Sequence, residues 1–418
     1  VHELAPGVSL VCQLVDGLEL SGTLFQTHRY GDMPVDDLEA RLSRLQAERM
    51  MRWGPLPTPW TVRLDGVEAP VCLLPSSPRA GWRYGLECPA WLLLVSADGA
   101  ARPRFCVQLR ASELMTQGPL AAWRSARDWV KTNLMPLVGR LRTDEVEWRI
   151  SRVDVAADVA GAALQASDSD YLTTRARNRE RVELPTTSHD RGRVFTGFNL
   201  GSRGGAAYAR LYLKSFEAPN DAPIRELWRQ KGYDLGHHRD VWRVEFELRP
   251  SLLRELRVDG QPLPNDPDAL LSNHLDAVWA YVTTSWLTLR DRSRSATRRE
   301  RTPVAPWWAA LAQLRGLNGE APAAPGLKVS RDRSRRGDRD KLLKLALGAI
   351  AGVAALDSSA DLKTALLALT DFAQKQGGDE AFAARTDKAR ARYGLPTLAA
   401  AGRRTLLPDA LPVLADAA

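Results

Sequence analysis

Three stretches of this chain alternate apolar and polar residues at the period of a β-strand, in which side chains at i, i+2 and i+4 share a face. In 152–159, Arg152, Asp154, Ala156 and Asp158 fall on one face, and Val153, Val155, Ala157 and Val159 on the other. In 208–214, Tyr208, Arg210, Tyr212 and Lys214 oppose Ala209, Leu211 and Leu213. In 242–249, Arg243, Glu245, Glu247 and Arg249 oppose Trp242, Val244, Phe246 and Leu248. Each pattern predicts a strand with one dry face for a core and a second face carrying acids, bases or tyrosines. Segments 9–15, 60–64, 82–88, 90–96 and 104–109 also read as strands, 168–183 as helix or loop, and 185–192 as a loop.

Helical spacing appears elsewhere. Leu38, Leu42 and Leu45 lie on one face behind Asp36 and Asp37, acids that suit a helix N-terminus. In 119–142, Leu120, Trp123, Ala126, Trp129, Val130, Leu134 and Leu137 form a stripe of period 3.6. Helices are expected again at 250–257 and 266–290, and Trp307-Trp308 suit a short helix docked on the main domain. Gly, Pro and Ala over 317–327 read as a linker, and an Ala- and Leu-rich helical region follows from 338, with turns at 357–359 and 377–378. The expected organisation is an N-terminal α+β part over 1–143, a site-bearing region over 144–316, a linker over 317–337 and a C-terminal all-helical region over 338–418.

Composition narrows the class. A chain of 418 residues suggests two or three domains, at roughly 150 residues each. Its 44% hydrophobic content builds a real core. Net charge is +8, a bias toward anionic partners. The excess is uneven: Arg290, Arg292, Arg294, Arg298, Arg299 and Arg301 face only Asp291 and Glu300, and 331–341 is also basic. Both runs suit attraction to phosphates. Cys12, Cys72, Cys88 and Cys106 are scattered with no Cys-x-x-Cys, which argues against a disulfide scaffold or structural zinc and for a reducing cytoplasm. The longest apolar run, 345–356, falls short of the ~20 residues of a membrane span. His2 and Glu3, with no basic flank before an apolar core, give the expectation of no secretory leader. A phosphate-binding Gly-x4-Gly-Lys-Ser/Thr loop, a His-Glu-x-x-His zinc site and a Gly-x-Ser-x-Gly elbow are missing from the sequence.

The polar faces carry the chemistry. Asp154, Asp158, Glu245 and Glu247 would repel one another unless a cation or arginine neutralises them. Carboxylates without His or Cys suit a hard divalent ion, Mg²⁺ or Mn²⁺. A tyrosine beside cations suits phosphodiester chemistry, because a phenol of pKa near 10 needs such neighbours, or a base, to become a nucleophile. Strand alternation does not separate Tyr208 from Tyr212 in that role. The competing reading is an ordinary antiparallel sheet with one solvated face, whose cross-strand charge pairs contribute ~0.2–1 kcal/mol each.

The motifs Arg152-Val-Asp154-Val-Ala-Ala-Asp158, Gly201-Ser-Arg203, Arg210-Leu-Tyr212-Leu-Lys214 and Trp242-Arg243-Val-Glu245-Phe-Glu247, in this order, resemble those of the replication initiation factor family. That family holds Rep_trans-type rolling-circle plasmid initiators, filamentous-phage replication proteins and related relaxases. The resemblance covers 140–250 well and implies an α+β fold with a central antiparallel sheet, RRM- or palm-like, and flanking helices. It implies a nicking enzyme whose tyrosine, Tyr212, attacks one DNA strand, stays joined to the 5′ phosphate and leaves a 3′-OH. Arg210 would hold the scissile phosphate and Lys214 would assist. Asp154 and Glu245, helped by Asp158 or Glu247, would hold the divalent ion. Arg152, Arg203 and Arg243 would contact DNA together with the arginines of 290–301. The implied partners are origin DNA, a host helicase and a second copy of the chain. A conjugative relaxase and a non-catalytic origin-binding protein or repressor are the alternatives. Leu213 replaces the family's usual Asp or Asn after the tyrosine, and Gly204-Gly205 replace a polar pair. The His-hydrophobic-His signature of the other rolling-circle class is missing from the sequence; the adjacent His237 and His238 are expected in a loop.

Overall fold

The computed structural model describes residues 2–24, 37–49, 56–64, 66–97, 103–138, 146–185, 193–234, 240–294, 301–317, 328–331, 338–356 and 361–392. The chain divides into two compact units, Val1–Asp332 and Arg333–Ala418.

The first unit is built on a 12-stranded sheet with antiparallel pairings. Strands β1 (His2–Ala5) and β2 (Val8–Leu24) open it. A meander follows, of β3 (Leu56–Leu64), β4 (Val67–Leu73), β5 (Tyr84–Glu87), β6 (Trp91–Val95) and β7 (Phe105–Leu109). Helix α1 (Asp37–Arg49) precedes the meander, and α2 (Ala111–Gln117) and α3 (Pro119–Asn133) follow it. Next come β8 (Val146–Ala160), the short β9 (Leu172–Thr174), β10 (Arg179–Pro185), β11 (Arg193–Gly201), β12 (Ala207–Leu213) and β13 (Val241–Leu248). The order across the sheet is β10-β11-β12-β13-β8-β2-β7-β6-β5-β4-β3, with β1 on β2. The N-terminal part and the site-bearing part are thus joined edge to edge by β2 and β8.

The apolar faces of the alternating strands form the core, as their pattern predicts. Val153, Val155, Val159, Ala209, Leu211, Val244, Phe246 and Leu248 are buried. Phe246 meets the rings of Trp279 and Trp286 edge-on at 5.9 and 6.1 Å. Two short helices before β13, α4 (Lys214–Glu217) and α5 (Ala222–Gln230), lie over part of the polar face. There Ile224 and Trp228 bury Val11, Cys12, Leu14, Ala156 and Ala160.

After β13 the chain forms α6 (Pro250–Leu253), β14 (Leu256–Val258), β15 (Gln261–Pro262), α7 (Pro267–Asn273), α8 (Leu275–Tyr281), β16 (Leu287–Leu289), α9 (Pro306–Leu311) and β17 (Val329–Arg331). Trp308 is buried on α9 and its Nε1 donates to Thr283 O at 2.8 Å, so the expected docking of this helix is found. The second unit holds α10 (Asp338–Leu356), α11 (Leu362–Lys375) and α12 (Gly378–Arg392). Asp361 caps α11 by accepting from the backbone N–H of Lys363 and Thr364. The α+β class, the large antiparallel sheet and the helical C-terminal region agree with the expectation. Among the described residues no helix is long and apolar enough to cross a membrane.

Several elements differ from the sequence reading. Segment 168–183 is a 3₁₀ turn (Ala166–Asp170), β9 and the start of β10. A three-residue strand carries no readable period, and β10 ends the sheet, where charged residues are at home on either side. The helix expected over 250–257 stops after Leu253 and gives way to β14. The helix expected over 266–290 breaks between α7 and α8, passes through a π-turn at Val282–Trp286 and ends as β16. Within the expected linker, Val329–Arg331 pairs with β14. The loop expected at 185–192 and the histidines His237 and His238 lie outside the described residues, Pro185 apart.

Candidate active site

Register decides which side chains meet. Across β12 and β13, Tyr212 lies opposite Arg243, Arg210 opposite Glu245, and Tyr208 opposite Glu247. Across β13 and β8, Arg243 faces Asp158, Glu245 faces Ala156, and Glu247 faces Asp154. Across β8 and β2, Asp158 faces Cys12, Asp154 faces Gly17, and Arg152 faces Glu19. Directly paired residues share a face, so the polar residues of all three alternating strands come together, joined by acids from β2.

Tyr212 sits at the centre. Its Oη donates to Glu245 Oε2 at 3.1 Å. Arg210 Nη2 donates to both oxygens of the same carboxylate, at 2.7 and 3.0 Å, and its guanidinium lies 4.9 Å from the centre of the Tyr212 ring. Burial, and then the negative charge of Glu245, push the phenol well above its usual pKa, against the opposing pull of Arg243 and Arg210. Tyr212 is therefore a neutral phenol whose proton already points at a base. Arg210 is about one-third exposed, which leaves its outer edge open to an arriving anion. Lys214 Nζ lies 5.9 Å from the Tyr212 ring centre but is buried and committed to Glu217 and Asp221, at 3.2 and 3.1 Å. Tyr208 is buried at 6% exposure, with Arg203 over its ring at 5.8 Å.

A second cluster surrounds Arg152. Its guanidinium forks onto Asp154, with Nε to Oδ1 at 2.8 Å, and also reaches Glu247 at 3.3 Å and Glu19 at 3.6 Å. Burial pushes the Asp154 carboxyl up to about 7; Arg152 opposes this, while Glu245 and Glu247 add to it. Glu247 also accepts from Arg249 Nε at 2.9 Å. Gly17 leaves room for this cluster: a Cβ there would stand 2.5 Å from Asp154 Oδ2, so the carboxylate would have to shift.

The third cluster is enclosed. Arg243 forks onto Asp158 and sends Nη1 to Asp16 Oδ1 at 2.7 Å, while Trp228 Nε1 donates to Asp158 Oδ2 at 2.7 Å. Arg243 has no exposure, so the DNA contact expected of it is replaced by a buried ion pair under α5. The alternation predicts an open polar face; α5 covers this end of it.

Each of the four expected metal-binding carboxylates thus carries a guanidinium: Asp154 and Glu247 that of Arg152, Glu245 that of Arg210, and Asp158 that of Arg243. Among the described residues no three of Asp, Glu, His and Cys gather as a metal-binding group. The donor set in this arrangement does not fit a divalent ion.

Among solved structures, one described as a rolling-circle replication initiator protein from Geobacillus stearothermophilus is similar to this chain, with a TM-score of 0.39 and 14% identity over 72% of this chain and 94% of that one. No family model and no curated protein match the chain.

The remaining expected DNA contacts are dispersed. Arg203 is exposed after β11. Arg290 is half-buried beside β9, Arg292 is exposed with Nη1 3.4 Å from Asp168 Oδ1, and Arg301 is exposed. Arg298, Arg299 and the side chain of Arg294 lie outside the described residues. Sequence reasoning missed Asp16, Glu19 and Trp228, which complete the site. It also missed Arg175, Arg177, Arg179 and Arg181, whose spacing at every second residue is a readable signal.

Proposed function

We propose that this chain is a DNA-nicking and joining enzyme of the rolling-circle initiator kind, with Tyr212 as nucleophile. The observation that carries this reading is the contact of Tyr212 Oη with Glu245, with Arg210 bound to the same carboxylate and lying against the ring. Glu245 takes the phenol proton as Tyr212 Oη attacks phosphorus. The bond from phosphorus to the 3′ oxygen breaks, and the proton held by Glu245 passes to that oxygen. The products are a 5′-phosphotyrosine and a free 3′-OH. Attack by a 3′-OH on the phosphotyrosine reverses each step and rejoins the strand. Arg210 holds the non-bridging oxygens, where negative charge develops. A half-buried phenol of raised pKa makes the paired base necessary, since free phenolate is scarce near neutral pH.

A host helicase would unwind DNA from the nick, because the sequence has no phosphate-binding loop of its own. Sedimentation analysis tests the proposed homodimer. The deciding experiment incubates the protein with supercoiled DNA bearing the cognate origin. A nicked circle with a covalent 5′ adduct is expected from wild type and Tyr208→Phe, and not from Tyr212→Phe. Adduct formation at the wild-type level by Tyr212→Phe overturns the assignment. Binding without nicking by wild type assigns the chain to non-catalytic origin recognition. Parallel reactions with Mg²⁺, with Mn²⁺ and with chelator test the cation: adduct formation that persists in chelator is the outcome favoured by carboxylates already filled with arginine.

A further inference from the structure

A second basic feature lies on the flank of the sheet. Arg175, Arg177, Arg179 and Arg181 occupy alternate positions leading into and along β10, and all four are exposed. β10 is the terminal strand of the large sheet. Charged residues on an edge strand ordinarily block pairing with other chains, and that role alone would account for Arg181. It does not account for how the neighbouring arginines are held.

On the tyrosine face the arginines Arg152, Arg210 and Arg243 are matched to carboxylates. On the flank the hydrogen-bond partners are neutral. Arg175 Nε donates to Ser285 O at 2.8 Å, and Arg179 Nη1 to Leu172 O at 3.2 Å. Arg290 Nη1 donates to Thr302 O at 3.2 Å, and its Nε to Thr173 Oγ1 at 3.4 Å. Among the described residues none of Arg175, Arg177, Arg179, Arg181 and Arg290 forms an ion pair. Carbonyl and hydroxyl partners fix a guanidinium in place and leave its charge uncompensated.

Arg179 and Arg290 converge on a cavity of about 180 Å³, walled by Tyr171, Thr173, Thr174 and Thr302, with Asp170 at its lining. Two guanidiniums against one carboxylate leave the cavity positive, and the threonine hydroxyls supply further donors. The backbone sets this convergence: Arg290 N donates to Tyr171 O at 2.9 Å, next to the pairing of β9 with β16. Planar forked donors, hydroxyls and net positive charge are the chemistry that takes a phosphate group.

We propose that this flank is a docking strip for the phosphate backbone of duplex DNA, with the Arg179–Arg290 cavity seating one phosphate. The proposal rests on the DNA reading above. Within β10 it is Glu180, bonded to Asn199 opposite Arg210, that shares the tyrosine face, while Arg179 and Arg181 point to the other side. The strip therefore holds the duplex beside the reacting phosphodiester and not on it. It sets affinity and leaves the rate of nicking at saturating DNA unchanged.

The test is the salt dependence of binding to a fluorescent duplex carrying the cognate origin. For each phosphate that is no longer neutralised, the slope of log K against log[salt] becomes less steep by about 0.9. Arg179→Ala/Arg181→Ala/Arg290→Ala is expected to flatten the slope by about one to three such increments. Arg83→Ala, which removes an exposed arginine paired with Glu39, is expected to leave the slope unchanged. Arg181→Glu, at an exposed position, is expected to weaken binding even if the triple variant melts early. An unchanged slope in these variants, with wild type binding and nicking normally, overturns the strip and leaves the proposed function intact. Failure of wild type to bind any duplex overturns both. A rise in melting temperature with inorganic phosphate that Arg290→Ala abolishes, together with an unchanged duplex slope, assigns the cavity to free phosphate and overturns duplex docking.

Discussion

Arg243 and Asp158 close a two-bond fork, Nε to Oδ1 at 2.7 Å and Nη2 to Oδ2 at 2.9 Å, with neither side chain exposed. Removing one member of a buried pair leaves the other charge without compensation, which costs about 3–5 kcal/mol. Asp158→Ala leaves Arg243 with Asp16 alone as its counterion, and is expected to destabilise the first unit by up to that amount in urea unfolding. The Trp228 indole loses its acceptor in the same variant, so its fluorescence should shift in the native state.

Glu245→Gln keeps the shape of the side chain and removes the base. Adduct formation in a single turnover is expected to fall by about 10²–10⁴-fold, the usual contribution of a positioned base. Because burial and Glu245 hold the Tyr212 phenol above its ordinary pKa, the residual rate in the variant should climb with pH as hydroxide replaces the missing carboxylate. Wild type should show a weaker climb over the same alkaline range.

Asp154 ties stability to pH. Its carboxyl rises from 3.8 to about 7, chiefly through burial, so the native state binds this proton more tightly than the unfolded chain. A raised pKa contributes stability that is full below the unfolded value and is lost as pH rises through the folded value. Wild type should accordingly lose stability from this group between about pH 4 and pH 7. Asp154→Asn cannot titrate and should flatten that decline in unfolding measured across the window.

Gly17 and Asp154 should be energetically coupled. A methyl group on Gly17 would meet Asp154 Oδ2 at 2.5 Å, and overpacking of this kind costs about 1–3 kcal/mol. Gly17→Ala is expected to cost less in an Asp154→Ala background. A double-mutant cycle on unfolding free energies should return a coupling of about 0.5–3 kcal/mol.

What the sequence revealed and what it hid follow from periodicity. Strands β8, β12 and β13 keep an unbroken period of two, so their wet and dry faces were readable, and antiparallel register then aligned Arg210 with Glu245 and Glu247 with Asp154. β2 was only half seen. Its register with β8 slips between Leu10 and Cys12, between Val15 and Gly17 and between Glu19 and Leu20, and each slip breaks the alternation that would have exposed Asp16 and Glu19. Trp228 arrives from a helix whose spacing says nothing about the strand face it covers. The four acids suggested a divalent cation, yet the chain offered its own counterions. Arg152 and Asp154 are two residues apart on one strand face, and Glu247 and Arg249 keep the same spacing at the end of β13, a spacing that already favours an ion pair.

The long β2 has a consequence for how the molecule comes into being. Cys12 and Asp158 touch across 146 positions of sequence. Until β8 leaves the ribosome, β2 has a bare edge on the side that β8 will fill, an invitation to pair with other chains. Such distant pairing makes folding slow, because loop closure precedes any reward from contact. The carboxylates of β2 accordingly wait for the arginines of β8 and β13, and a chain interrupted before Val146 carries the strands of the meander without Arg152, Asp154, Tyr212 or Glu245.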